Sequence, residues 1–201
     1  MILPAPSFPY VPGEAPGDRI ARIVRAYAGC SLSSRREELA ALVGRGVNDE
    51  AFVALKTNCA TFALGVLSAA GVRHKKLSAP TAIGAAFSDL VTLGNDLKAW
   101  RPWAGSGSIP VGAALWYEIP NTDDDHVEFY LSPDGPEHGG GGRDDNAVTV
   151  GRGPVALSWG RPVHKWLDPG ALGISVAPIA DTDPAPPLDV EPHRDVNDPH
   201  V

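Results

Sequence analysis

The sequence predicts an α+β domain in which N-terminal helices pack on a small antiparallel β-sheet. Two observations carry this. Up to about residue 100 the apolar side chains recur at helical spacing. After Gly105-Ser-Gly-Ser they fall into short runs rich in Val, Tyr, Phe and Trp, separated by Gly, Pro and Asp. Helices first and strands after is the α+β order.

Residues 1–16 are Pro-rich and are expected to be extended. A first helix is predicted from Asp18 to Ala28, with Asp18 as N-cap and Ile20, Ile23, Val24 and Tyr27 on one face. Cys30 follows its end. A second helix is predicted in SRREELAALVGRG, starting after Ser33 or Ser34 and ending at Gly44 or Gly46. Arginines in its first turn oppose the helix dipole.

A third helix opens at Cys59, runs through CATFALGVLSAA and stops at Gly71. Its small residues at 60, 63, 65, 69 and 70 are expected to let it lie close against a sheet. A less regular helix is predicted over 80–100, ending near Trp100 before Pro102. The strand candidates are IPVGAALWYEI, HVEFYLS, NAVTVG and PVALSWGRPV. One domain is expected over 17–170. Residues 171–201 are Pro/Asp-rich with few large apolar side chains and read as a disordered tail.

Composition excludes several function classes. The net charge is −7, from 17 basic and 24 acidic residues, and no basic cluster is dense enough to follow phosphates, so a nucleic-acid partner is not expected. No run of ~18 apolar residues occurs, so no membrane span is expected. The N-terminal MILPAPSFPYVPGEAPGD lacks a basic n-region and is broken by prolines, which argues against a Sec signal peptide. Two cysteines are too few for a structural zinc site or a disulfide framework.

The candidate chemistry centres on Cys59 and His126. A cysteine in the first turn of a helix faces unpaired N–H groups and a positive dipole end, which favour a thiolate. The alternative is an ordinary buried cysteine. His126 opens an apolar strand just after NTDDD, at a sheet edge from which a base can reach a helix N-terminus. Three residues are open for the third position: His138, twelve residues on where a hairpin partner would begin, Asn146 and Glu128. His138 itself lies in HGGGGRDDN, which also reads as a mobile loop.

Other motifs fall short. DDDH and EPHRDVNDPH lack the spacing of a metal loop, GGGG at 139–142 has no phosphate-loop context, and no G-x-S-x-G elbow occurs. No metal or cofactor is expected. His74 and His164 read as surface residues at element ends.

Four segments in order resemble papain-like cell-wall hydrolases of the NlpC type and the related CHAP amidases, including a phage-associated branch. NCATFALGVLSAAGV matches a cysteine opening a small-residue helix, IPVGAALWYEI the "PGD" strand, DHVEFYLS a strand beginning H-V-x-[IVF]-Y, and GGGGRDDNAVTVGRGPVALSWGRPV the Gly-Gly turn with its final strands. The likeness covers about residues 50–165, with cysteine before histidine. Ala113 stands where the usual acid of the "PGD" element would be, and Gly141 where the phage-associated branch has asparagine.

The resemblance implies a papain-like fold and a peptidoglycan endopeptidase or amidase. Cys59 is then the nucleophile, His126 the base and His138 the third catalytic residue, chosen over Asn146 and Glu128. Asn58, Trp116 and Tyr117 are assigned to substrate binding, with Trp100 as a further aromatic in the groove. The expected partner is a peptidoglycan stem peptide. Delivery to the wall or periplasm is expected to rely on a phage or secretion apparatus, with an inhibitor protein as another possible partner. Two readings compete: a non-catalytic module of such an apparatus, and a cysteine peptidase acting on protein. Cys30 is expected to be structural and unpaired with Cys59.

Overall fold

The computed structural model of the protein describes residues 7–48, 59–77, 86–105, 109–118, 121, 125–134, 137–141, 147–153, 155–158 and 160–175. Among them are four α-helices: α1 (Pro16–Ala26), α2 (Arg36–Leu42), α3 (Cys59–Ala70) and α4 (Ala86–Asp96). Seven strands follow: β1 (Trp100–Pro102), β2 (Ala114–Tyr117), β3 (His126–Ser132), β4 (Glu137–Gly140), β5 (Thr149–Arg152), β6 (Leu157–Ser158) and β7 (Arg161–Leu167). Every strand pairing is antiparallel, in the order β1-β7-β2-β3-β4-β5, with β6 paired to β7. The protein is therefore α+β, as its patterning predicts. No helix among the described residues is long and apolar enough to cross a membrane.

Helix α1 starts two residues before Asp18. Pro16 occupies its first turn, where a missing N–H costs nothing and the fixed φ suits the helix. Asp18 adds an acid to that turn instead of capping it. Residues 7–15 are docked. The buried Arg19 guanidinium donates to the carbonyls of Phe8, Pro9 (3.2 Å) and Ala70 (2.9 Å), and lies 3.7 Å from the Tyr10 ring centroid. Arg22 binds Glu14 at 2.6 Å beside it. One buried cation thus ties the N-terminal segment to the end of α3.

In α2 the first turn carries Glu37 and Glu38 besides Arg36, and Arg35 pairs with Glu38, so the dipole is better served than its arginines suggest. Helix α3 matches its predicted limits, from Cys59 to the turn at Gly71. It packs on β3 and β4 as its small residues predict, with Gly65 the exception. A Cβ on Gly65 would lie 2.8 Å from the Leu42 carbonyl, so this site admits α2 and not the sheet.

The predicted helix over 80–100 is shorter. Its described part is α4, residues 80–85 lie outside the described set, and Trp100 opens β1. The chain leaves the helix through Lys98, at a positive φ of 53°. β4 replaces the start of the predicted glycine loop. At the far end, Leu172 and Ile174 are 2% and 6% exposed in the main core, so the domain passes residue 170. Residues 176–201, most of the predicted tail, lie outside the described set.

Alternation along β3 divides the interior in two. Val127, Phe129 and Leu131 join the helices in the larger core with Ile20, Phe62, Leu67 and Leu90. Tyr130 turns to the other face, where Ala113, Leu115 and Tyr117 of the β2 region, Val155 and Val163 form a second cluster. His126 and Glu128 share the parity of Tyr130 and so belong to this second face. Both are nearly inaccessible, at 5% and 3% exposed.

Candidate active site

Cys59 is the first residue of α3 and is half-buried, packed at the edge of the larger core. Nothing acidic stands in the first turn of the helix. His126 is the first residue of β3, so its ring stands at the end of the sheet. The Cys59 sulfur stands close enough to the imidazole there to favour its cation. The two residues that the sequence singles out as nucleophile and base are brought together.

The other side of the imidazole is held by its own strand. Glu128 lies two residues on, and period-two alternation places both side chains on one face. His126 Nε2–H donates to Glu128 Oε1 at 3.0 Å. With Nε2 committed to the carboxylate, Nδ1 is the nitrogen left for the sulfur. Ser158 Oγ on β6 also donates to Oε1, at 3.1 Å. A buried carboxylate requires such partners, since losing its hydration is costly.

His138 meets that carboxylate and not the His126 ring. The β3–β4 register sets His138 opposite Tyr130, which puts it on the same face as Glu128, and its Nδ1–H donates to Glu128 Oε2. The expectation that His138 orients the imidazole directly is therefore corrected: Glu128, one of its two competitors, occupies that place. Asn146 lies outside the described residues. The glycines after His138 have a steric reason. A Cβ on Gly140 would lie 3.2 Å from Glu128 Cγ, and one on Gly141 would lie 2.9 Å from Phe62 Cβ of α3. Side chains at those positions would crowd the carboxylate and push α3 outward.

The electrostatics follow from this packing. Burial works hardest on His126, and it opposes the cation. Hydrogen bonds and charge from Cys59 and Glu128 outweigh it and push the imidazole from 6.5 up to about 9. For Glu128 burial is again the largest influence and favours the neutral acid. The bonds to His126 and His138 and their charges prevail, taking the carboxyl from 4.5 down to about 2. Cys30, by contrast, is fully buried, and burial pushes its thiol up, with Arg35 pulling the other way and Glu38 adding to the rise. Both cysteines are free.

These shifts set a stability profile. Glu128's folded value is depressed, so its contribution is complete above pH 4.5 and is lost as pH falls toward about 2. His126's is raised, so its contribution is complete below pH 6.5 and is lost as pH rises through about 9. Both are present between pH 4.5 and 6.5. Thermal unfolding across pH should give the highest Tm in that window, with a Glu128→Gln variant losing much of the acidic fall. A Tm that climbs steadily from pH 6.5 to 9 contradicts the assignment.

The remaining expectations divide. Asn58 lies outside the described residues. Trp116 is half-buried; its indole N–H donates to Asp125 Oδ1 at 2.8 Å, and its ring packs against Phe87, Trp100 and His164. Asp125 is thereby turned to the indole. Trp100 donates to the Val91 carbonyl at 3.2 Å, which anchors α4 to β1.

Tyr117 is a correction. It is 0% exposed and its hydroxyl donates to the Val155 carbonyl at 3.1 Å, so it cannot touch a substrate. Its ring lies 6.2 Å from that of His126 and backs the imidazole instead. Burial first, and the Glu128 charge second, raise its phenol.

His74, expected at the surface, has a side chain only 8% exposed, 3.2 Å from Asp96, while His164 is open beside Glu118 at 3.4 Å. Ser158 was not among the sequence candidates, since a serine in a strand carries no distinguishing pattern. No family model matches the chain, and no curated protein matches it.

Proposed function

We propose that this protein is a papain-like cysteine amide hydrolase of the NlpC or CHAP kind, cleaving peptidoglycan stem peptides. One observation carries the catalytic part: a cysteine in the first turn of a helix stands beside a buried imidazole whose far nitrogen is held by a carboxylate. The order of elements and the likeness of four segments to cell-wall hydrolases support the substrate class. Ala113 is a fully buried member of the second core, so the position of the family's usual acid is filled by packing and lies apart from the Cys59–His126 contact.

The chemistry runs as follows. The Cys59 sulfur attacks the amide carbonyl, forming the S–C bond and sending an electron pair to the carbonyl oxygen. Backbone N–H groups in the first turn of α3 receive that oxyanion in this mechanism. As it collapses, the C–N bond breaks and the amine takes the proton held by His126. Water then enters and gives its proton to the now neutral imidazole. Its oxygen displaces the thiolate, and the product acid leaves. Glu128 stays ionised and keeps the imidazole aligned through both steps.

Purified sacculi incubated with native protein and with Cys59→Ala are the direct test. Native protein should release soluble peptide-bearing fragments, and the alanine variant none above the no-protein control. Equal release by both, or cleavage of casein with intact sacculi, overturns the assignment.

A further inference from the structure

Glu128 serves two imidazoles, and the second makes or breaks no bond in the reaction above. Building on the cysteine-hydrolase reading, we propose that His138 is a positioning residue that acts through Glu128. By taking a share of the carboxylate's charge, it limits how tightly His126 holds its proton.

The geometry is specific. Glu128 presents two oxygens from a side chain only 4% exposed: Oε1 receives His126 and Ser158, and Oε2 receives His138. The His138 side chain is 15% exposed, against 7% for His126, so the outer imidazole closes the buried cluster on its solvent side. The charged and titratable neighbours leave Glu128 as the connection between the two rings. Tyr117 backs His126 from β2, Cys59 approaches it from α3, and Asp125 is turned to Trp116. Tyr130 stands opposite His138 on β3, and Gly151 opposite it on β5. Glu137, the preceding residue on β4, is turned to Arg25 of α1, with Arg152 across from it.

The reaction gives this arrangement a purpose. His126 lies between a sulfur and a carboxylate, both of which favour its cation. It is held at about 9 even with the carboxylate shared. A base that must surrender its proton to a leaving amine in every cycle is slowed by holding it too firmly, because proton transfer is best matched near the working pH. A second donor on the same carboxylate draws off negative charge and weakens the bond to the first. Orienting the ring needs Oε1 alone, so the bond at Oε2 is free to set its strength.

The test compares native protein, His138→Phe and His138→Gln. The His126 ring is titrated by NMR, and Cys59 alkylation by iodoacetamide is followed across the same pH range. Phenylalanine removes the donor, so His126's titration and the matching upper step in Cys59 alkylation should move up, on the order of one pH unit. Glutamine restores a hydrogen-bond donor to Oε2 and should return both toward the native position. Protection of Cys30 reports folding, and His138→Ala replaces phenylalanine if that variant unfolds.

A folded phenylalanine or alanine variant whose His126 titrates where the native ring does, or lower, overturns the role of His138. A native protein whose Cys59 alkylates like an ordinary thiol overturns instead the hydrolase reading on which this role rests.

Discussion

Replacing Glu128 with glutamine is expected to slow alkylation of Cys59 at pH 7 by roughly tenfold or more, with the folded state retained. The amide keeps the shape and an acceptor for His126 Nε2–H, but removes the charge that, with Cys59, holds the imidazole at about 9. His126 should then titrate closer to its ordinary 6.5, so that near neutrality less of it is cationic beside the sulfur. Rates measured with Cys59 and Cys30 resolved by mass spectrometry check this.

Alanine at 128 is a harsher change. It leaves two imidazoles and the Ser158 hydroxyl facing a void, and breaking a buried pair by removing one partner costs about 3–5 kcal/mol. Thermal unfolding should show that loss. Unchanged alkylation in the glutamine variant means that the carboxylate is structural ballast and the base works without it.

The second large effect is at His126. His126→Ala is expected to reduce amide hydrolysis by about 10²–10⁴-fold, the contribution of a positioned acid–base group. In the proposed mechanism the ring both holds a proton beside the sulfur and delivers it to the leaving amine, so no neighbour replaces it. Glu128 lies on the far side of the ring, and its short side chain is already committed to Ser158 and His138. Hydrolysis is the readout for this variant, with Cys30 protection as the control for folding. Activity within a few-fold of native would place the base elsewhere.

Much of this site is legible in the chain because local rules govern it. A cysteine opening an apolar helix that stops at Gly71 is a local pattern, and α3 begins and ends where that pattern does. HVEFYLS spans the whole of β3. The same strand also encodes Glu128: alternation alone puts residue 128 on the face of residue 126.

Two facts worked against reading it so. An acid inside an apolar strand is more often solvated than buried, and its partners arrive from β4 and β6, whose positions come from tertiary pairing. The β4 strand was hidden for a related reason. Gly139 and Gly140 have no side chains to carry an alternating pattern, and they are glycine because the neighbouring strands and the Glu128 side chain crowd them. Tyr117 shows the opposite error. An aromatic beside a candidate base suggests a groove, whereas its parity sends it into the second core with Leu115 and Val163.

The most direct measurement is rapid iodoacetamide labelling of native protein from about pH 5 to 9, with each cysteine quantified separately and His126→Ala run alongside. The account predicts that Cys59 labels quickly below pH 7 while the fully buried Cys30 stays protected, and that Cys59 loses this fast phase without His126. A Cys59 that labels only as pH approaches that of an ordinary thiol, at the same rate with or without His126, contradicts a working thiol–imidazole pair.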